Sequence, residues 1–210
     1  MSILALTSDT LIATAAAGNI EYSSPIFTGT PIGTQRGIVP TQQYYRLNSA
    51  VVGSNATGAQ SIFGVGVTLS ASTVYEFEAI FVLSKSAGTT SHTIGLGFGG
   101  TATANNIGYY AQFEVIAGSI PTAGTSASAV AFMFSNTLSN NTLTPAYATA
   151  TFYGICLVKG TVSVNAGGTF IPQYTLSAAP GGAYSTAIGS YIRIAPVGAS
   201  GSNTSVGAWA

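Results

Sequence analysis

From Thr73 to Ser84 the chain reads TVYEFEAIFVLS. Tyr75, Phe77, Ala79, Phe81 and Leu83 fall on one side, and Glu76, Glu78, Ile80 and Val82 on the other. A period of two is that of an extended strand, whose successive side chains point to opposite faces. The alternation recurs in GGTFIPQYTLS, residues 167–177, where Phe170, Pro172, Tyr174 and Leu176 oppose Thr169, Ile171, Gln173, Thr175 and Ser177. Further strands are predicted over 43–48, 91–99, 107–117, 129–136, 148–164 and 190–198. Between them lie turn-forming clusters such as SAGTT, FGGTATANN, SNTLSNNTLTP and SAAPGGAYS. Helix formers are sparse, and the best helical candidate is LIATAAAG at 11–18. The pattern predicts an all-β chain with a short extended or partly helical N-terminal arm over 1–18. A jelly-roll-like β-sandwich of about eight strands is expected over 19–210.

Composition changes what the outward faces of these strands can be. Lys and Arg number five and Asp and Glu five, 5% of 210 residues, against roughly a quarter in an ordinary soluble domain. From Val115 to Ala210 the only charged residues are Lys159 and Arg193. A formal net charge of +0 gives no basic footprint for nucleic acid. Apolar runs such as AIFVL and AVAFMF are far shorter than the ~18 residues a membrane helix needs, so no membrane insertion is expected. The N-terminus has no basic stretch before its Ala run, and Asp9 interrupts it, so no signal peptide is expected and synthesis in a reducing cytoplasm fits. The single Cys156 has no intrachain disulfide partner and is expected to fill core space beside Phe152 and Val158. Asn-x-Ser/Thr triplets at 55, 140 and 203 read as Asn-rich turns.

Candidate chemistry is thin. GLGFGG at 95–100 matches the letters of a dinucleotide fingerprint, but it leads into a turn and another strand rather than a helix N-terminus, so its glycines read as small residues in a packed sheet. Glu76 and Glu78 lie on one strand, whereas the two carboxylates of a glycosidase flank the scissile bond from opposite sides. A hydrated face, or one paired with Lys85 or Arg46, is expected instead. His92 is the sole histidine and Asp9 the sole aspartate, so neither a histidine metal cluster nor a Ser-His-Asp triad is expected. No enzyme activity, cofactor or metal is expected. Arg36, Arg46 and Arg193 stand in otherwise uncharged segments, and at least one should contact one of Glu21, Glu76, Glu78 and Glu114.

Neutral outward faces on a chain without an active site are what burial against protein requires, since interface cores are depleted of Lys, Glu and Asp. Ile171, Gln173, Thr175 and Arg193 are the candidate inter-subunit residues. Ile3, Leu4, Leu6, Leu11 and Ile12 of the arm are the candidate docking residues toward a partner.

Over roughly residues 15–210, the ordered stretches AAAGNIEYSSPIF, GTQRGIVPTQQYYRLNS, STVYEFEAIFVLS, FGGTATANNIGY, VNAGGTFIPQYTLS, GSYIRIAPVG and SVGAWA resemble a known module. It belongs to virion proteins of tailed bacteriophages, cyanophages and marine phages especially, and often forms the C-terminal end of tail-fibre or other surface proteins. The resemblance implies a trimeric β-sandwich on the virion surface and carries no catalytic residue. About 18 residues precede NIEYSS, without a coiled-coil or collagen-like stalk, which favours a compact homotrimer seated directly on a shell. The expected function is a capsid decoration or cement protein that docks on the major capsid protein or another virion protein. The alternative is a tail-fibre or receptor-binding domain that recognises host surface glycan. A glycan-cleaving spike lacks its carboxylate pair.

Overall fold

The computed structural model describes residues 6–12, 14–117, 129–201, 203–207 and 209. Among them are sixteen strands and no helix, and the described residues of 11–18 end in a turn at 17–18. The strands form three antiparallel sheets. The smallest is a meander of β1 (Ile20–Ser23), β2 (Ile26–Ile32) and β3 (Gln35–Val39). The largest joins β4 (Gln43–Arg46), β5 (Val51–Val52), β8 (Thr73–Lys85), β10 (Thr103–Ala117), β11 (Ala129–Ser135), β13 (Phe152–Ala166), β15 (Ser185–Thr186) and β16 (Tyr191–Ala199). The third holds β6 (Gln60–Ser61), β7 (Val67–Leu69), β9 (Ile94–Gly99), β12 (Asn141–Thr142) and β14 (Gly168–Leu176).

The two larger sheets form a jelly roll, and the pairings show it. The chain is one long hairpin folded over on itself. β9 pairs β12 innermost, β8 pairs β13 around them, β6 and β7 pair β14, and β4 and β5 pair β16 and β15 outermost. Successive nested pairs fall in alternate sheets, which is the double Greek key of the jelly roll. One hairpin, β10–β11, is inserted between β9 and β12 and extends the large sheet beyond β13.

The core lies between these layers and is built by the alternation read from the sequence. Tyr75, Phe77, Ala79, Phe81 and Leu83 are all buried, as are Phe170, Tyr174 and Leu176 across from them. Phe98 is stacked on Phe170 at 4.5 Å between ring centroids and meets Phe77 and Tyr109 edge-on, each at 5.1 Å. Cys156 is fully buried on β13, and burial pushes its thiol pKa up, as expected of a core filler.

Pro172 explains why the strand beside β14 is split in two. Its carbonyl accepts a hydrogen bond from Ile62 N at 3.0 Å on that side, but proline has no N–H to offer there. The ladder therefore breaks between β6, opposite Gln173 and Tyr174, and β7, opposite Gly168 to Phe170.

The three-stranded meander lies outside the two layers, and the described part of the arm is fastened to it. Asp9 N donates to Tyr22 O at 3.0 Å, Ser24 N to Ser8 Oγ at 2.8 Å, and Ile12 N to Glu21 Oε1 at 2.9 Å. Arg36 Nε donates to Glu21 at 2.7 Å, and its terminal nitrogen reaches the Ile12 carbonyl.

Candidate interaction surface

His92, Lys85 and Glu78 are each bonded within the fold. His92 is buried, with Nδ1 2.7 Å from the Thr90 carbonyl, which can only accept; this nitrogen therefore carries the proton. Nε2 lies 2.7 Å from the Tyr184 hydroxyl. The buried Lys85 ammonium, 6.0 Å from the Tyr184 ring centroid, sits in a cage of backbone carbonyls: Gly88 at 2.7 Å, Ala87 at 3.2 Å, Ala150 at 3.4 Å, and Thr149. Burial acts to lower its pKa, and the carbonyls are the counterweight. The outward Glu78 pairs with Arg193 at 2.9 Å and Lys159 at 3.2 Å, and the Arg193 hydrogen bond, with Lys159 behind it, holds its carboxyl below the usual range.

These partners correct the expectation that Lys85 or Arg46 would pair this strand face. Lys85 points inward and Arg46 bonds Asn48, whereas Lys159 and Arg193 stand directly opposite Glu78 on the two strands flanking β8. Of the three arginines, Arg36 and Arg193 do meet glutamates. Among the described residues no group of three or more His, Cys, Asp and Glu is arranged to hold a metal.

The candidate inter-subunit residues do not share a surface. Ile171, Gln173 and Thr175 are half-buried on the outer face of the small sheet, over the glycines of β9 and Gly66. A Cβ on Gly99 would press on the Gln173 amide, one on Gly95 would stand 2.7 Å from Thr175 Oγ1, and one on Gly66 would stand 2.6 Å from Ile171. GLGFGG is thus a flat strip that admits the side chains of β14. Arg193 lies on the outer face of the other sheet. Of the candidate docking residues, Ile3 and Leu4 lie outside the described residues. Leu6 and Ile12 are exposed, and Leu11 turns partly into a cleft of about 700 Å³ between the meander and the end of the sandwich.

What the structure adds is the outer face of the large sheet. Val82 lies opposite Ile155 and Ile80 opposite Leu157, all half-buried and outward. Gln112 and Glu114 of β10 flank this block, and beyond them β11 presents Val130, Phe132 and Phe134, 45%, 66% and 76% exposed. The charged cluster around Glu78 closes one end of the face. A water-facing side of an antiparallel sheet is ordinarily polar. The signal in the sequence is AVAFMF itself: a run apolar on both strand faces asks for cover on both. A second apolar feature is a groove of about 340 Å³ between β4 and β7, lined by Tyr44, Tyr45, Phe63, Val65, Pro172 and Ile194.

No family model matches this chain, and no curated protein matches it. Among solved structures, one described as "Structure of infectious bursal disease virus Gx strain" is similar at 12% identity and a TM-score of 0.20. The alignment covers 84% of this chain and 46% of that chain, so this chain spans under half of its length. A likeness of that size carries no argument, and the jelly roll rests on the strand pairing alone.

Proposed function

We propose that this chain is a structural protein of a virion surface, a homotrimer that docks as a decoration or cement protein on the head shell of a tailed phage. The observation that carries the reading is the outer face of the large sheet. Ile80, Val82, Ile155, Leu157, Phe132 and Phe134 turn outward on a chain in which most of the few charges are already paired or buried. Apolar side chains turned outward in this number mark a site of protein association. Copies of the chain around a three-fold axis cover its β8 and β13 block, Ile80, Val82, Ile155 and Leu157, without ion pairs, and the motif resemblance points to the same trimeric virion module. The exposed Leu6 and Ile12 of the arm supply contacts to the shell protein.

The test is the mass in solution at about 1 M salt, where ion pairs are screened within a few ångströms while apolar burial persists. The expected result is three times the 21.1 kDa chain mass; a monomer overturns the reading. Position in a virion reconstruction then tests the docking. The tyrosine-lined groove at β4 and β7 favours a second reading, a receptor-binding tip that stacks a neutral host glycan on Tyr44 and Tyr45. Copies per virion separate the two, in the hundreds for a decoration protein and in the tens or fewer for a fibre.

A further inference from the structure

Sheet edges are hazards because their unpaired N–H and C=O groups accept any other strand, and proteins blunt them with short strands, charges, Pro or bulges. Most free edges here are short: two residues in β5, β6 and β12, three in β7, four in β1 and β4, and five in β3. β11 is the exception. It is seven residues long, AVAFMFS, its pairing with β10 is unbroken from Ala129 to Ser135, and its other edge has no partner among the described residues. It contains no charge and no proline, and no charged residue occurs between Glu114 and Lys159.

We propose that the free edge of β11 pairs with β11 of a second copy of this chain, antiparallel about a two-fold axis through Phe132. The inference rests on the proposed self-assembly of the chain. The outward triplet is nearly palindromic. In that register Phe132 stands against its own copy and Val130 against Phe134, so two large sheets join into one and the exposed apolar side chains of both copies form a single cluster. With no charge on either strand, self-pairing sets no like charges together.

The size of the contact fixes its role. A fully exposed aromatic side chain presents about 150–250 Å². The triplet therefore buries on the order of 300–400 Å² per copy, well under the roughly 800 Å² per partner of a standard stable interface. Such a contact is weak by itself and closes at high protein concentration, or where a surface holds many copies side by side and so raises their effective concentration. It is a link between trimers, not the trimer interface.

The test uses the full chain with Phe132→Cys. Directly opposed residues of an antiparallel pair have Cα atoms about 4.5–5.5 Å apart, within the range of a disulfide, and native Cys156 is buried out of reach. Under mild oxidation at high protein concentration, Phe132→Cys is expected to form a disulfide-linked dimer. Val52→Cys, on the exposed opposite edge, is not. Val130→Cys alone stays unlinked but links to Phe134→Cys when the two proteins are mixed. Equal linking of Phe132→Cys and Val52→Cys overturns the proposal, as does a Phe132→Lys variant that loses the trimer along with higher assemblies. A trimer in which Phe132→Cys forms no link sinks this inference and leaves the trimer reading standing. The link in a protein that is otherwise monomeric does the reverse.

Discussion

Glu78 on β8 and Arg193 on β16 face each other across one rung of the ladder, 2.9 Å apart, with Lys159 on the opposite flank at 3.2 Å. One carboxylate thus separates two cations. Glu78→Gln leaves those cations adjacent and is expected to lower the urea midpoint at pH 7. Because the folded pKa is depressed, the stability Glu78 contributes is present above its unfolded value near 4.5 and is lost as the pH falls through the folded value. The gap between wild type and variant therefore narrows on acidification. A gap that is constant from pH 7 to about 3 rules out the pair as its origin.

Lys85 ties together two loops far apart in the sequence, 87–88 and 149–150, through their carbonyls. Lys85→Met keeps the length of the side chain and removes every donor. Orphaned buried acceptors cost roughly 1–3 kcal/mol, so a loss of about 2–3 kcal/mol in unfolding free energy is expected from equilibrium denaturation. Hydrogen exchange at these two loops should accelerate more than in β13.

Burial pushes the Tyr174 hydroxyl up to about 12, from 10.0, and raises Tyr184 as well. Below pH 10 both states hold the proton and the contribution is complete. Above it the unfolded chain ionises first, so stability falls as the pH rises toward 12. Tyr174→Phe costs about 1 kcal/mol at neutral pH through the lost 3.0 Å bond to Gln60 and makes the alkaline fall shallower. Thermal melts from pH 8 to about 11 measure both effects.

Gly97 lies beneath the 138–140 segment, and an added Cβ would stand 2.7 Å from Asn140 backbone atoms. Backbone cannot rotate away as a side chain can, so Gly97→Ala is expected to cost about 1–3 kcal/mol. Gly58, where nothing lies within 4 Å, is the control: Gly58→Ala is neutral or gains up to about 1 kcal/mol from the unfolded chain.

The long strands are legible in the sequence because each spans several periods of two, as Tyr75 to Leu83 and Phe170 to Leu176 show. β5, β6, β12 and β15, at two residues each, hold no period at all and exist through their neighbours. The meander at 20–39 is hidden because Pro25, Pro31 and three glycines interrupt its alternation. The partners of Glu78 differ from those expected because a sequence shows which face a side chain takes but not which strand lies alongside. The same gap conceals the interaction surface. AVAFMF reads equally well as a central strand, and only the inserted β10–β11 hairpin puts it at an edge.

The nested pairing also sets the order in which a chain leaving the ribosome acquires its structure. β9 with β12 and β8 with β13 can zip as soon as Ala166 has emerged, but β4 and the first part of β8 wait for Tyr191 to Ala199 to lie between them. Until that last strand is made, β8 is itself an open edge with Glu76 and Glu78 on its outer face. Charge on an open edge disfavours pairing with another chain, and Glu76 and Glu78 place two carboxylates on this one.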